Sequence, residues 1–208
     1  MFNQQQHPKY NQTFLSKSEL RERLMPLVGS VELNKVLCAY ELATDVHQFQ
    51  RRNDGTPYFW HPTRVTRILL EELDITDPDI LVTGLLHDTL EDSDILTPEV
   101  IEYNFGEYVS FLVETLTKEV RVEDGPLRDQ IDREYVDRLM KSPEDCRIIK
   151  LCDRLDNLRC LEFNLKRNPY KYVKETSEHY MRMAEDSTNL HLCYLLKELK
   201  KERNKFFG

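Results

Sequence analysis

Apolar residues recur along most of this chain at helical spacing, and the polar breaks between those runs outline its elements. Val36, Leu37, Tyr40, Ala43 and His47 recur at helical spacing, which predicts an amphipathic helix from Val31 to about Arg52. Before it, Ser16 or Ser18 caps a shorter helix from Glu19 to about Val28; Pro26 weakens its last turn, and Gly29-Ser30 separates the two helices. Asn53-Asp54-Gly55-Thr56-Pro57 is turn chemistry. An aromatic lead-in, Tyr58-Phe59-Trp60, and then His61-Pro62 open a helix over about 62–73, because proline is tolerated in a helix's first turn.

Thr76-Asp77-Pro78 starts the next helix, whose apolar run from Ile80 to Leu86 ends in His87-Asp88-Thr89-Leu90-Glu91-Asp92. Thr97-Pro98-Glu99 opens a helix to Phe105, Gly106 closes it, and Glu107 to Thr117 is helical again. Residues 118–129 have no period and read as a long loop, a feature often functional in compact domains. A short helix over Arg133–Met140 follows, then one opened by Ser142-Pro143 and running to about Phe163, then a last helix or helix pair from Asn168-Pro169 to about Phe206. No segment alternates as a strand does, and neither a repeat nor a linker divides the chain. The expectation is an all-α fold of about eight to ten helices in a single domain over residues 16–208, preceded by a flexible arm over residues 1–15.

Composition narrows the function classes. Six glycines and nine prolines in 208 residues argue against a loop-rich or β-rich fold. A formal net charge of -8 disfavours broad binding to DNA, RNA or anionic membranes. No apolar run is long enough for a transmembrane helix, and the N-terminus lacks a signal-peptide core. Five cysteines without a CxxC pair read as reduced thiols of a cytoplasmic protein, with Cys38, Cys146, Cys152 and Cys193 in apolar helical patterns as core packing. Self-association is left open.

The chemistry concentrates at the end of the Ile80–Leu86 run. On one continuous helix, His87 and Glu91 share a face, and Asp88 and Asp92 share another about a quarter-turn round. Imidazoles mixed with carboxylates suit Mn²⁺, Fe, Zn²⁺ or Mg²⁺. Adjacent helical residues point about 100° apart, so His87 and Asp88 hold one ion only if their side chains swing together. Further ligands must come from distant sequence. His61 at a helix start is one candidate; Asp153, an aspartate among Ile148, Ile149, Leu151 and Leu155, is another, since a carboxylate on an apolar face must be paired or coordinated. Taken singly, each has an ordinary alternative: a loop histidine, a surface ion pair, an acidic helix end for Glu91 and Asp92. Their co-occurrence carries the argument.

The order His61, His87-Asp88, Asp153 resembles the HD-domain metal phosphohydrolases. The segments 47–62, 87–92, 116–118 and 149–159 extend the likeness to the hydrolase domain of the RelA/SpoT homologues, over about residues 30–190. That resemblance implies an all-α domain holding one metal ion, usually Mn²⁺, that removes pyrophosphate from the ribose 3′ position of guanosine tetra- or pentaphosphate. It implies His61, His87, Asp88 and Asp153 as ligands and Glu91 and Asp92 as the catalytic pair. It further implies Arg52 against the purine base, Asn157 at the nucleoside and Lys118 as a phosphate contact. The chain leaves no room for the synthetase and regulatory domains of the long members, which makes it similar to the small alarmone hydrolases. Three positions depart from the family pattern: Asn53 where lysine is usual, Asp156 where histidine is frequent and Cys160 where threonine is common. They fall near the expected nucleotide contacts. They keep open an adenosine alarmone or NADPH as substrate, and, further off, a non-catalytic nucleotide-sensing module.

Overall fold

The computed structural model describes residues 8–118, 126–164 and 168–207. Ser16 starts α1 (Lys17–Leu24): its hydroxyl accepts from the Glu19 amide while the Glu19 carboxylate accepts from the Ser16 amide, a reciprocal cap that fixes the first turn. Gly29 precedes α2 (Ser30–Val46), which is shorter than its apolar pattern predicts. Beyond His47 the backbone turns back on itself. Gln50 accepts from the Tyr58 amide, and Arg52 both donates to Thr56 and accepts from Gly55. Gly55 supplies the left-handed φ of 86° that this reversal needs. Helix therefore yields to a tight loop over 47–58, and Arg52 sits on that loop rather than on the end of a helix.

α3 (Trp60–Arg67) runs into a π-turn (Ile68–Glu72), so the expected single helix changes pitch halfway. Asp77 caps α4 (Pro78–Leu86) by accepting from the Asp79 and Ile80 amides, with Pro78 in the first turn, where its missing N–H costs nothing. α5 is one turn (Thr89–Asp92). Gly106, at φ 94°, makes the corner between α6 (Pro98–Phe105) and α7 (Glu107–Leu116). Of the expected loop over 118–129, residues 119–125 lie outside the described residues, and α8 (Pro126–Lys141) already begins at Pro126, seven residues before the predicted start at Arg133. α9 (Glu144–Arg159), α10 (Pro169–Glu175) and α11 (Leu190–Phe207) complete the fold; a second π-turn (Thr176–Tyr180) follows α10, so the C-terminal region is two helices with irregular turns between.

Among the described residues the only β-type pairing is an isolated bridge between Arg51 and Pro57. The all-α expectation holds, with eleven α-helical segments among the described residues. No helix of the described residues is long and apolar enough to cross a membrane.

α4 is the central helix. It packs against α2, α3, α7 and α9, and Leu81, Val82, Leu85 and Leu86 are fully buried on it. Fully burying a leucine-sized side chain contributes roughly 1.5–3 kcal/mol, so the helix that ends in His87 is firmly held. Gly84 lets α3 and the π-turn after it approach closely: a Cβ there would lie 2.7 Å from Leu69 Cδ1 and 3.3 Å from Thr66 Oγ1.

Residues 1–7 of the expected flexible arm lie outside the described residues, but the remainder of that arm is packed. Tyr10–Gln12 form a 3₁₀ turn, and Leu15 is buried in the core. The Leu15 amide donates to Thr63 Oγ1 at 3.2 Å, Tyr40 Oη donates to the Leu15 carbonyl at 3.1 Å, and Phe14 stacks on Trp60 with ring centroids 5.1 Å apart. The segment 10–15 is thus strapped across α3. The cysteine expectation splits as well: Cys146 and Cys152 are core, as is Cys160, but Cys38 and Cys193 are exposed.

Candidate metal centre

α4 stops one residue before His87, and the reason is local. His87 Nδ1 donates to the Gly84 carbonyl at 2.9 Å, and Thr89 Oγ1 donates to the Leu86 carbonyl at 2.7 Å. These side chains take up backbone acceptors at the end of the helix. His87 and Asp88 therefore form a corner between α4 and α5 rather than consecutive positions of one continuous helix. The corner removes the difficulty of neighbouring side chains diverging, for both point into one site.

That site is a cluster of three ligand-capable groups. His61, His87 and Asp88 each offer an atom within 4.8 Å of the others. Asp88 Oδ2 lies 3.3 Å from His87 Nε2 and 3.7 Å from His61 Nε2, and the two imidazole centroids are 5.3 Å apart. Asp153 enters from α9, with Oδ1 3.2 Å from His61 Nε2. Its other oxygen is 2.8 Å from Lys150 Nζ, and Asn157 Nδ2 donates to Oδ1 at 2.5 Å. All four expected ligands thus reach the same place, with Asp153 attached through His61 and outside the tight triplet.

The residues fit a divalent cation. His87 Nε2 is buried without a hydrogen-bond partner, and because Nδ1 donates to a carbonyl, Nε2 carries the lone pair in the neutral ring. A buried lone pair aimed at a carboxylate oxygen 3.3 Å away needs positive charge between or upon the two. The electrostatics agree. Burial opposes a charge on His87, yet Asp88 outweighs it and raises its pKa to about 9. Burial likewise opposes ionisation of Asp153, but Lys150, His61 and His87 hold its carboxyl well below the usual range. Among the possible ions, a set of two imidazoles and two carboxylates is the nitrogen–oxygen environment of the first-row divalent metals.

Glu91 and Asp92 lie on α5, one turn beyond the corner. Glu91 Oε1 accepts from the Lys118 backbone amide at 2.7 Å, which ties α5 to the end of α7. Asp92 Oδ2 is 3.7 Å from Nδ1 of the buried His47, whose ring also faces Tyr58. Lys118 Nζ is ion-paired with Asp132 on α8. The lysine side chain is therefore bound into a contact with α8 and is not among the residues that line the pocket of Arg52 and Asn157.

Arg52 and Asn157 are brought together. Arg52 Nη2 donates to Asn157 Oδ1 at 2.5 Å, and the guanidinium sits 5.8 Å from the Tyr58 ring centroid. Arg52, Asn53, Asp54, Asn157, Cys160 and Asn164 line one pocket beside the metal cluster. Asn53 and Cys160, two of the three departures from the family pattern, are thus pocket residues. The third is not. Asp156 is fully buried beneath His61, with Oδ2 2.6 Å from His61 Nδ1, so it supports the candidate cluster and does not line the pocket.

Three further contributors were not singled out from the sequence. Tyr58 Oη donates to Asp88 Oδ2 at 2.6 Å, Lys150 pairs with Asp153, and Arg64 pairs with Asp156. A signal for the one on α9 existed: Lys150 stands three positions before Asp153 and seven before Asn157, the spacing of one helix face. Tyr58 and Arg64 had no comparable signal, because their partners are 30 and 92 positions away.

Residues 39–187 match the HD domain family. The chain is 36% identical over 180 residues to the guanosine-3′,5′-bis(diphosphate) 3′-pyrophosphohydrolase MESH1 of Mus musculus, covering 83% of this chain and 96% of that protein. It is 39% identical over 148 residues to the guanosine-3′,5′-bis(diphosphate) 3′-pyrophosphohydrolase of Aquifex aeolicus, covering 70% of this chain and 20% of that protein. It therefore spans about a fifth of the length of the long curated relatives it matches. A solved structure described as a metazoan ortholog of SpoT that hydrolyses ppGpp superposes with a TM-score of 0.70 at 32% identity, covering 81% of this chain and 95% of that one. Matches of that extent, on a fold with this cluster at its centre, place the chain in the HD domain family, among its RelA/SpoT-type hydrolases.

Proposed function

We propose that this protein is a metal-dependent 3′-pyrophosphohydrolase of guanosine tetra- and pentaphosphate, releasing GDP or GTP and pyrophosphate. The observation that carries this reading is the His61–His87–Asp88 triplet with its buried, unpartnered Nε2. His61, His87, Asp88 and Asp153 would hold the ion, and Mn²⁺ suits their nitrogen–oxygen mixture. When bound, such an ion offsets phosphate charge and makes a water easier to deprotonate.

The chain's own groups do the rest. Glu91 and Asp92, fixed on α5 by Lys118 and His47, take the proton from the attacking water and return one to the departing ribose 3′ oxygen. A bond forms from the water oxygen to the phosphorus next to the ribose, and the bond from that phosphorus to the 3′ oxygen breaks. Tyr58 holds the Asp88 carboxylate in place. Arg52 offers a planar cation for stacking on the base, and Asn157 offers an amide to the nucleoside once their mutual hydrogen bond opens. Lys118 would reach phosphate only by leaving Asp132, so it is the weakest of the substrate assignments.

The test is product analysis: guanosine tetraphosphate with and without Mn²⁺, followed by chromatography for GDP and pyrophosphate. Manganese-dependent appearance of both in equal amounts supports the reading, and intact substrate in both tubes sinks it. The pocket favours one second reading. Asn53 and Cys160 line it where the family pattern has lysine and threonine, so the base and phosphate preference can differ, with an adenosine alarmone or NADPH as substrate of the same chemistry. A side-by-side panel decides, and a strong guanine preference removes that alternative. A nucleotide substrate, a net charge of -8 and five free thiols all suit a cytoplasmic enzyme that does not act on DNA or RNA.

A further inference from the structure

The two histidines of the cluster are supported in different ways. His87 Nδ1 donates to a backbone carbonyl, a neutral acceptor on its own helix. His61 Nδ1 meets Oδ2 of Asp156 at 2.6 Å, a carboxylate carried by α9, a different helix. Asp156 is fully buried, and an ionised carboxylate there is costly unless its oxygens are all engaged. They are. Arg64 grips it with Nε at 2.7 Å from Oδ1 and Nη2 at 3.2 Å from Oδ2, and Tyr10 Oη donates to Oδ1 at 3.0 Å. Arg64 is itself 1% exposed, and its remaining nitrogen, Nη1, donates to the Asn11 and Thr13 carbonyls at 3.3 and 3.0 Å. The pair is charge-neutral as a unit and fully hydrogen-bonded, which is the condition under which a buried ion pair is held in one geometry.

We infer that Asp156, clamped by Arg64, is the positioning residue that keeps the His61 proton on Nδ1 and its Nε2 lone pair directed at the metal, so that it sets how tightly the site takes a divalent ion. The physical reason is the imidazole's ambiguity. A neutral ring can carry its proton on either nitrogen, and His61 Nε2 faces the carboxylates of Asp153 at 3.2 Å and Asp88 at 3.7 Å. Without a competing acceptor on the far side, those two carboxylates draw the proton to Nε2 and close the ligand position. With Asp156 holding Nδ1–H, Nε2 stays open, and the anchored ring is a better donor to a metal. The same contact fixes ring orientation across the α3–α9 interface, since Asp156 rides on one helix and His61 and Arg64 on the other. The inference rests on His61 being a metal ligand, as proposed above.

The experiment is calorimetric titration of the metal-free protein with MnCl₂, comparing wild type with Asp156→Asn, each checked for helical content by circular dichroism. Removing a carboxylate that orients a ligating histidine lowers metal affinity by about 10- to 100-fold, and that is the expected loss in folded Asp156→Asn. A second readout needs no variant of Asp156. In wild type labelled with ¹⁵N-histidine and loaded with diamagnetic Zn²⁺, the His61 signal (assigned by its absence in His61→Gln) should show a slowly exchanging, strongly downfield proton on Nδ1. If Asp156→Asn fails to fold, this spectrum decides alone. A folded Asp156→Asn with unchanged Mn²⁺ affinity, or a metal-loaded wild type whose His61 Nδ1 carries no such proton, overturns the positioning role while leaving the metal site intact. A wild type that takes up no Mn²⁺ overturns the metal reading and this inference together.

Discussion

The two halves of the pocket are built to different tolerances. On the metal side, every ligand-capable group is buried or nearly so and has a fixed neighbour: Tyr58 on Asp88, the Gly84 carbonyl on His87, Asp156 on His61, Lys150 on Asp153. On the nucleotide side, Arg52 and Asn157 are bonded to one another, and Arg52 comes from a loop closed by a glycine turn. The first arrangement is already in its working geometry. The second must exchange an internal hydrogen bond for contacts to substrate. On the proposed reading, such a site spends rigidity where charge must be focused and keeps adaptability where the base would be chosen, beside Asn53 and Cys160.

The largest effect separates the halves most sharply. Replacing His87 with alanine removes a ligand from the rigid side; Mn²⁺ binding by calorimetry and pyrophosphate release should fall together, the latter by several kcal/mol in barrier, or on the order of 10³-fold or more. Next, Glu91→Gln combined with Asp92→Asn should leave Mn²⁺ uptake intact and lower turnover by about 10²–10⁴-fold, the usual share of acid–base catalysis. Near-wild-type turnover in that double variant would mean the protons travel elsewhere. Gly84→Ala probes how firmly the rigid half is held. Its new Cβ would press on Leu69 and Thr66, and overpacking of this kind costs about 1–3 kcal/mol, seen as a lower melting temperature with weaker metal binding. The smallest effect belongs to the adaptable half. Arg52→Ala should raise KM for guanosine tetraphosphate with little change in Mn²⁺ affinity; a stacking cation contributes about 0.5–2 kcal/mol, or roughly 2- to 30-fold. If Arg52→Ala instead cost metal affinity, the link from Arg52 through Asn157 to Asp153 would be structural, and the division into two halves would fail.

Much of this arrangement was legible in the chain. The apolar run into His87, the Asp77-Pro78 cap and the histidine-proline start of α3 are local signals, and the helices they predict are present. Where the reading failed, long-range or side-chain chemistry decided. α2 ends at Val46 rather than at Arg52 because Gln50 and Arg52 find backbone partners in the 55–58 turn. The corner at His87-Asp88 depends on two side chains capturing carbonyls, a competition that periodicity does not register. Residues 8–15 look like a polar arm, yet Thr63, Arg64 and Trp60, some fifty positions on, give them places to dock. Asp156 sits one position from Asn157, but adjacent helical residues face different neighbours: Asn157 lines the pocket and Asp156 lies under His61. α8 starts earlier than its apolar pattern predicts, at Pro126, where proline commonly begins a helix.

The strap over residues 10–15 has a practical side. Its Asn11 and Thr13 carbonyls and the Tyr10 hydroxyl complete the hydrogen bonding of Arg64 and Asp156, so the N-terminal segment is continuous through Asp156 with His61 of the candidate metal cluster. If the proposed ligands hold, a recombinant protein begun at Ser16, the boundary that helix patterning alone suggests, would keep all four of them and every α-helix and yet be purified with too little metal. Its low activity would then be misread as poor catalysis, when the missing part is the strap that completes the hydrogen bonding of Arg64 and Asp156.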